Sequence, residues 1–139
     1  MKPEEIAKFM EENDQVAKFY QMKVKEVREG YALVELSIEN SMLNAAEVCQ
    51  GGVIFSLADF AFAVASNSYG NVALATSANI NFTKPALKGE KLIAEAKEVN
   101  RSRKLGVYEV VVRKEDGTVV ALFVGQAYFL DKPIGNSEK

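Results

Sequence analysis

One carboxylate lies inside the most apolar stretch of this chain. Asp59 belongs to residues 53–65, which are otherwise almost entirely apolar, and no Lys or Arg occurs between Ala32 and Asn81. Carboxylates are rarely buried unless they are paired. Two interpretations follow from this pattern. Either Asp59 meets solvent or a backbone amide at a subunit seam, or it lies in a cleft as a general base or nucleophile.

Two glycines, Gly51 and Gly52, precede the same stretch. The first-turn amides of a helix have no partner within the helix and carry the positive end of its dipole, so they can stabilise a developing oxyanion. Glycines at that point let a substrate approach the backbone closely. The simpler interpretation of the pair is a sharp turn from loop to helix.

The spacing between the glycine pair and Asp59 predicts whether they can contact the same bound carbonyl. Gly52 and Asp59 are seven residues apart, which is close to two helical turns and about 10 Å along the axis. One bound carbonyl therefore cannot touch both within a subunit. If two such helices pack antiparallel across a dimer, the start of each lies near the Asp59 of the other, and the sequence predicts composite sites.

The residue counts exclude several other kinds of site. The chain has no His and one Cys. Nucleophilic systems that need an imidazole are therefore excluded, and so is a zinc site of the usual ligands, so we expect no metal. A single Cys cannot form an internal disulfide, and nothing indicates an oxidising compartment.

The net charge and the pattern of apolar residues exclude further classes of binding partner. The chain carries 17 basic and 19 acidic side chains, a formal net charge of −2, which is unlike the basic surface of nucleic-acid-binding proteins. Glutamates stand near the start where a signal peptide would be apolar, and residues 53–65 are too few to span a bilayer. We expect a cytoplasmic protein without nucleic-acid or membrane partners.

Hydrophobic periodicity predicts an α+β protein of one domain, residues 1–139. Residues 1–20 form an N-terminal helical segment, in which an amphipathic helix begins at Pro3 and ends near Asn13. Residues 53–65 form one long central helix that is apolar on nearly every side and must be surrounded. Residues 132–139 are expected to be a frayed tail. Alternating patterns predict six strands, at residues 22–27, 32–38, 72–82, 91–100, 105–113 and 119–129.

These elements predict a curved antiparallel sheet wrapped round the central helix. The last four strands have no helices between them, which favours an antiparallel meander. A sheet covers only one side of such a helix, and leaving Phe60 or Phe62 in water would forfeit about 1.5–3 kcal/mol each. We therefore expect a homodimer at least, and a homotetramer as the full assembly.

Two ordered segments resemble a known family. Residues 44–59 (NAAEVCQGGVIFSLAD), followed by residues 78–85 (ANINFTKP), are similar to the hotdog-fold acyl-CoA thioesterases, particularly the phenylacetic-acid-degradation type. The similarity extends over residues 22–128. It implies a hotdog fold and hydrolysis of an acyl-CoA, with phenylacetyl-CoA and hydroxyphenylacetyl-CoA as candidate substrates. No separate cofactor is implied, because coenzyme A is part of the substrate.

The resemblance also implies catalytic roles. Gly51 would donate its N–H to the thioester carbonyl, and Asp59 would attack that carbon or activate a water. Asn44 stands where the family often places an amide that orients the carbonyl or the water. Gln50 stands where the family usually has His. A Gln can position a group but cannot titrate, so any proton transfer by that residue is lost.

Further residues are candidates for substrate binding. The hydroxyl that some family members carry falls on Ala75 here, so that assistance is absent. Polar residues on the same strand face either line the pocket or lie at a seam, and the basic cluster between two late strands either meets the phosphates of coenzyme A or is a solvated hairpin tip. Lys84 has the same two interpretations, and Cys49 is expected to be a small packed residue. The substrate-binding candidates are Gly52, Ser77, Asn79, Lys84, Arg101, Arg103 and Lys104.

Two other functions remain as alternatives. A hydratase or dehydratase of the same fold usually depends on a His, which this chain lacks. A non-catalytic acyl-CoA-binding or sensing module would keep the pocket without the chemistry, and Gln50 in place of His favours it. Release of free thiol from an acyl-CoA distinguishes the enzyme from the sensor.

Overall fold

A computed structural model describes residues 1–135 of the chain. It contains three helices, six strands and one short 3₁₀ turn, so the predicted α+β class and strand number are confirmed. The helices are α1 (Pro3–Asn13), α2 (Gln15–Tyr20) and α3 (Gly51–Asn67), and the 3₁₀ turn is Asn40–Met42. The strands are β1 (Lys23–Arg28), β2 (Tyr31–Ser37), β3 (Asn71–Phe82), β4 (Lys91–Arg101), β5 (Leu105–Lys114) and β6 (Val119–Pro133).

The N-terminal segment is two helices rather than one. The predicted end of α1 at Asn13 is confirmed, and Glu5 accepts a hydrogen bond of 2.7 Å from the Lys2 backbone N–H at its start. Asp14 then caps α2, because its Oδ1 accepts from the Ala17 N–H at 2.9 Å. A carboxylate at this position satisfies one of the first-turn amides that a helix leaves unpaired.

The six strands form one antiparallel sheet in the order β1-β2-β4-β5-β6-β3. The predicted meander holds for β4, β5 and β6 but is wrong for β3, which pairs with β6 at the far edge. The reason is that β2 and β5 occupy both sides of β4, so β3 cannot lie beside it. Strand β3 is therefore an edge strand.

The end of β6 corrects the prediction of a frayed tail. Strand β6 continues to Pro133, which pairs with Asn71, and the Ile134 N–H donates to the Gly70 carbonyl at 2.8 Å. The long β3 provides this extension with a partner, so the chain is ordered beyond Lys132. Residues 136–139 of the predicted tail lie outside the described residues. Within residues 1–135, no helix is long and apolar enough to cross a membrane.

Helix α3 is enclosed within a single protomer. It contacts all six strands and also α1 and α2. Phe60 and Phe62 are only 4% and 2% exposed, so the prediction that they need a partner subunit to cover them is wrong. Helices α1 and α2 cover part of the surface of α3 that the sheet leaves open.

The Phe62 ring forms the centre of this core. Its centroid lies 5.6 Å from that of Tyr108 and 5.7 Å from that of Phe123. Gly125 of β6 allows the close approach, because a Cβ there would lie 3.0 Å from the Phe62 ring. The sheet and helix therefore pack at van der Waals contact with little free volume.

We predict that Phe62→Ala destabilises the folded protein by about 3–5 kcal/mol, because it leaves a cavity beside the Tyr108 and Phe123 rings. Denaturant unfolding, fitted with the same m-value for both proteins, measures the change in the free energy of unfolding. The control is Phe19→Ala, whose ring is 75% exposed, and we expect it to change stability by less than about 0.5 kcal/mol. Equal effects of the two substitutions would contradict the burial of Phe62.

Candidate active site

The first turn of α3 presents unpaired backbone amides. Gln50 is the extended N-cap residue, and Gly51 and Gly52 are the first two helical residues. Within residues 1–135, neither glycine N–H donates a hydrogen bond. Two such amides at the positive end of a helix dipole can hold an oxygen that is gaining negative charge.

Side chains crowd this helix start, which explains the glycines. A Cβ on Gly51 would lie 3.1 Å from Cζ of Phe82, and a Cβ on Gly52 would lie 3.2 Å from Oε1 of Gln50. The Phe82 ring is 52% exposed and forms one wall beside Gly51. The Gln50 amide folds back over Gly52, so it is placed where it can position a bound group.

Asp59 is half-buried on the outward side of α3. Its carboxylate accepts no hydrogen bond and forms no ion pair within residues 1–135. No side-chain oxygen of the described residues is both buried and unpartnered, so the Asp59 oxygens reach solvent. Burial raises the pKa of Asp59 above its ordinary value, and the nearby charge of Asp14 raises it further. No backbone amide within residues 1–135 of its own protomer is therefore a partner of Asp59.

A small cavity opens beside Asp59. Its volume is about 170 Å³. The lining consists of Asp14, Val16, Phe55, Ser56, Asp59 and Phe60. Gly51 and Gly52 do not belong to it, so the protomer keeps the helix start and Asp59 apart, as their spacing predicts. Asp14 was missed by the sequence analysis, because its position after α1 carries no signal of contact with α3.

The least buried residues of α3 lie along one line. Apart from Gly51 in the first turn, the residues of α3 that are not buried are Gly52, Phe55, Ser56, Asp59 and Ala63, which we call the open stripe. Their spacing of three and four residues places them on one face of the helix. The remaining faces are buried, so this stripe is the part of α3 that faces outward.

Asn44 organises the loop that precedes α3. Its Oδ1 accepts from the Ala46 N–H at 2.9 Å and from the Val48 N–H at 3.2 Å. The flanking residues Leu43 and Cys49 form an isolated antiparallel bridge. Since the side-chain oxygen is occupied, only the Nδ2 group of Asn44 is available for the predicted role of orienting a carbonyl or a water.

A bulge in β3 changes the positions of two predicted pocket residues. Ala75 pairs with Ala127 and Ser77 pairs with Gln126, so Thr76 is an extra residue between them. Ser77 and Asn79 therefore do not share the face of Ala75, and that prediction is wrong. They lie on the outer face of the sheet, away from α3, where Asn79 is paired with the exposed Val124.

The predicted basic cluster lies at the opposite end of α3 from the glycines. The Arg101 guanidinium lies 3.8 Å from the centroid of Tyr69, just after the end of α3, and 4.0 Å from Glu98 Oε1. Glu98 also accepts hydrogen bonds from Tyr69 and Tyr108, and burial with these bonds raises the pKa of Tyr108. Arg101 is thus held within the protomer and is not simply part of a solvated tip.

The other predicted cations are less constrained. Lys104 lies 3.9 Å from the Asp131 carboxylate, whereas Arg103 and Lys84 are exposed and have no ion pair within residues 1–135. Lys84 is nearest the helix start, because it follows Phe82 and precedes Ala86, whose carbonyl accepts from the Cys49 N–H at 2.8 Å. Binding of phosphate by these residues stays a prediction.

Cys49 is a packed residue, as the sequence analysis expected. It is 5% exposed, and burial raises the pKa of its thiol to about 11. The thiol therefore stays protonated at neutral pH and is a poor nucleophile.

We predict that Asp59→Asn stabilises the folded protein at neutral pH. Because the pKa of Asp59 is raised above its ordinary value of 3.8, its contribution to stability is fully present below that value and is lost as the pH rises through the raised pKa. The Asn variant avoids this loss. Urea unfolding midpoints of the two proteins should coincide near about pH 3 and diverge towards about pH 7.

The control for this experiment is Asp116→Asn. The Thr118 N–H, 2.9 Å from its carboxylate, lowers the pKa of Asp116, so loss of its charge brings no stabilisation at neutral pH. If the urea unfolding midpoints of the wild type and Asp59→Asn change with pH in parallel, the raised pKa of Asp59 is contradicted.

Comparison with known proteins assigns this site to a family. Residues 47–121 match the thioesterase superfamily. The chain is 38% identical over 119 residues to the Escherichia coli acyl-coenzyme A thioesterase PaaI, covering 86% of this chain and 85% of that protein. It is 46% identical over 125 residues to a protein of Archaeoglobus fulgidus, covering 90% of this chain and 81% of that protein.

Solved structures give the same result. The structure of E. coli PaaI superposes with a TM-score of 0.93 at 35% identity over 96% of both chains. The TT0310 protein of Thermus thermophilus superposes with a TM-score of 0.82 at 36% identity, covering 85% of this chain and 99% of that chain. The predicted hotdog fold is therefore confirmed. This chain belongs to the thioesterase superfamily, as a hotdog-fold thioester hydrolase.

Proposed function

We propose that this protein hydrolyses acyl-CoA thioesters to a free acid and coenzyme A. The observation that carries the proposal is the Asp59 carboxylate, which lies half-buried beside a cavity and has no hydrogen-bond donor or cation as a partner within residues 1–135. A carboxylate kept in this way is a stronger base than one in water. The relationship to PaaI, which is an acyl-coenzyme A thioesterase, supports the same reaction.

Two routes of hydrolysis fit this arrangement. In the first, Asp59 takes a proton from water as the water oxygen bonds to the thioester carbon, and the C–S bond breaks to release the thiol. In the second, an Asp59 oxygen bonds to that carbon as the C–S bond breaks and coenzyme A leaves as the thiolate, and water then hydrolyses the mixed anhydride to the free acid and the Asp59 carboxylate. Oxygen-18 incorporated into the enzyme during a single turnover in labelled water would indicate the second route.

In either route the Gly51 N–H polarises the thioester carbonyl, and the Gln50 and Asn44 amides position the carbonyl or the water. Gly51 lies about two helical turns from Asp59 of the same protomer, so the two act on one carbonyl only if they come from different protomers. We therefore propose a composite site, with the open stripe of α3 facing a second copy.

The sheet supports a homodimer for an independent reason. Edge strand β3 is 12 residues long and contains no charged residue and no proline. Such an edge invites pairing with another chain unless it is covered. Exposed apolar residues on the outer face of β6, Leu122 and Val124, favour a further contact between dimers, so the proposed assembly is a homotetramer.

The cavity beside Asp59 bears on the acyl group. Phe55 and Phe60 line it, and aromatic walls suit an aryl group. E. coli PaaI comes from the phenylacetic acid degradation operon. We propose phenylacetyl-CoA or hydroxyphenylacetyl-CoA as the substrate, and the cytoplasm as the compartment, where a lone thiol such as Cys49 stays reduced.

We predict that Asp59→Asn lowers kcat on phenylacetyl-CoA by at least about 100-fold, because the base or nucleophile is lost. Release of free thiol measures turnover, and size-exclusion chromatography with light scattering verifies that the assembly persists. An unchanged kcat would remove Asp59 from the mechanism. If the wild-type protein binds acyl-CoAs without releasing thiol, the sensing function that Gln50 favours is correct instead.

The N–H of Gly51 can be tested without breaking the helix. Gly51 is the first residue of α3 and follows an extended residue, so proline fits there while removing the donor. We predict that Gly51→Pro lowers kcat by at least about 100-fold. The control is Gly51→Ala, which keeps the N–H but adds the same Cβ against Phe82, and it should retain most of the activity.

The same variants test the composite site. In a mixed dimer of Asp59→Asn and Gly51→Pro, one site carries both substitutions and the other is intact. After equal mixing and random exchange, half of the dimers are mixed, so about a quarter of wild-type turnover returns. No recovery, with exchange verified by native mass spectrometry, would contradict a site shared between protomers.

A further inference from the structure

The junction of α1 and α2 places a second carboxylate in the cavity of Asp59. Asp14 and Val16 line it from the N-terminal segment, whereas Phe55, Ser56 and Phe60 belong to α3. Both N-terminal helices contact α3. The N-terminal segment thus forms one wall of the cavity in addition to covering the helix.

Asp14 is fixed in place by three hydrogen bonds. Its N–H donates to the Met10 carbonyl at 2.8 Å, and its own carbonyl accepts from the Lys18 N–H at 3.0 Å. Its Oδ1 accepts from the Ala17 N–H at 2.9 Å. The negative charge is therefore held at a defined position and cannot swing freely into solvent.

No cation offsets this charge at the cavity. Among its lining residues in the described part of the chain, Asp14 and Asp59 alone are charged. On α2, Lys18 lines a different cleft with Glu11 and Glu12. The Glu11 carboxylate accepts from the Val24 N–H, so it is directed towards β1.

The sheet side of α3 contributes no charge next to Asp59 either. On that side, the buried Tyr108 and the half-buried Glu98 form a cluster with Tyr69 just beyond the C-terminal end of the helix. That end lies about 12 Å along the axis from Asp59, at 1.5 Å per residue. Asp14 is thus the charged group that faces Asp59.

We propose that Asp14 is a positioning residue that acts through Asp59: its fixed negative charge, facing Asp59 across the cavity, keeps that carboxylate strongly basic. This inference rests on the proposed function of Asp59. A like charge in a poorly solvated site opposes ionisation of its neighbour, so Asp59 binds a proton more readily than it would without Asp14. The raised pKa of Asp59, with burial as its largest cause and Asp14 as its second, supports the geometry.

The consequence is a residue that tunes the reaction without touching the thioester. A more basic Asp59 accepts a proton from water, or attacks a carbonyl, more readily at neutral pH. The acidic limb of the pH–rate profile is then expected at a higher pH than it would have if Asp14 carried no charge. The N-cap hydrogen bond of α2, from the Ala17 N–H to Asp14 Oδ1, keeps this arrangement in place.

The test is Asp14→Asn, which removes the charge but keeps the helix cap, because Asn caps helices as well as Asp. With phenylacetyl-CoA as the probe, the acidic limb of kcat/KM should move to lower pH. The plateau of kcat should fall by less than about tenfold, because only part of a change in basicity appears in the rate, and KM should stay unchanged. The matched control is Glu12→Gln, an exposed acid on α1, which should leave the profile unmoved.

A second measurement does not depend on turnover. The gain in stability at neutral pH from Asp59→Asn should shrink in the Asp14→Asn background, because the repulsion is already removed. An unmoved acidic limb in Asp14→Asn would overturn the inference, whether or not the stabilities are coupled. If Asp59→Asn keeps full turnover, the proposed function of Asp59 fails, and the stability cycle still reports whether the two charges interact.

Discussion

A half-buried carboxylate that has no partner among the described residues of its own protomer is the constraint on which this structure depends. Burial opposes the ionised form of Asp59, and Asp14 adds a like charge rather than a cation. An isolated arrangement of this kind weakens a folded protein at neutral pH. The surrounding core must therefore be stable enough to hold both groups in place, and the enclosed α3 with its aromatic contacts provides that stability.

The elements that enclose α3 determine which part of its surface a second protomer can contact. The sheet and the N-terminal helices together bury Phe60 and Phe62, so these two large apolar side chains do not face outward. What remains open is the stripe in which Phe55 lies among small and polar residues such as Gly52 and Asp59. A second protomer would therefore meet a surface suited to close approach and polar chemistry. The unpaired edge of β3 therefore favours a dimer, whereas the burial of Phe60 and Phe62 no longer does.

The two ends of α3 differ in the groups that surround them. The N-terminal end offers unpaired amides between Phe82 and Gln50, where a substrate oxygen can approach the backbone. Beyond the C-terminal end, Arg101, Glu98 and the surrounding tyrosines form a network of contacts within the protomer. The predicted basic residues are therefore not equivalent: Arg101 contacts Tyr69 and Glu98, whereas Arg103 and Lys84 form no ion pair within residues 1–135.

The sequence by itself determined the elements and much of the candidate site. The six strands, the central helix, the glycine pair and the isolated Asp59 could all be predicted, because periodicity, turn residues and an unpaired charge are local signals. Strand order could not, since pairing depends on which neighbours compete for an edge. The extra residue Thr76 reverses the alternation that placed Ser77 and Asn79. Only the tertiary structure decided that α1 and α2 cover α3 and bring Asp14 to Asp59, because contacts between distant segments depend on packing and leave no periodic trace in the chain.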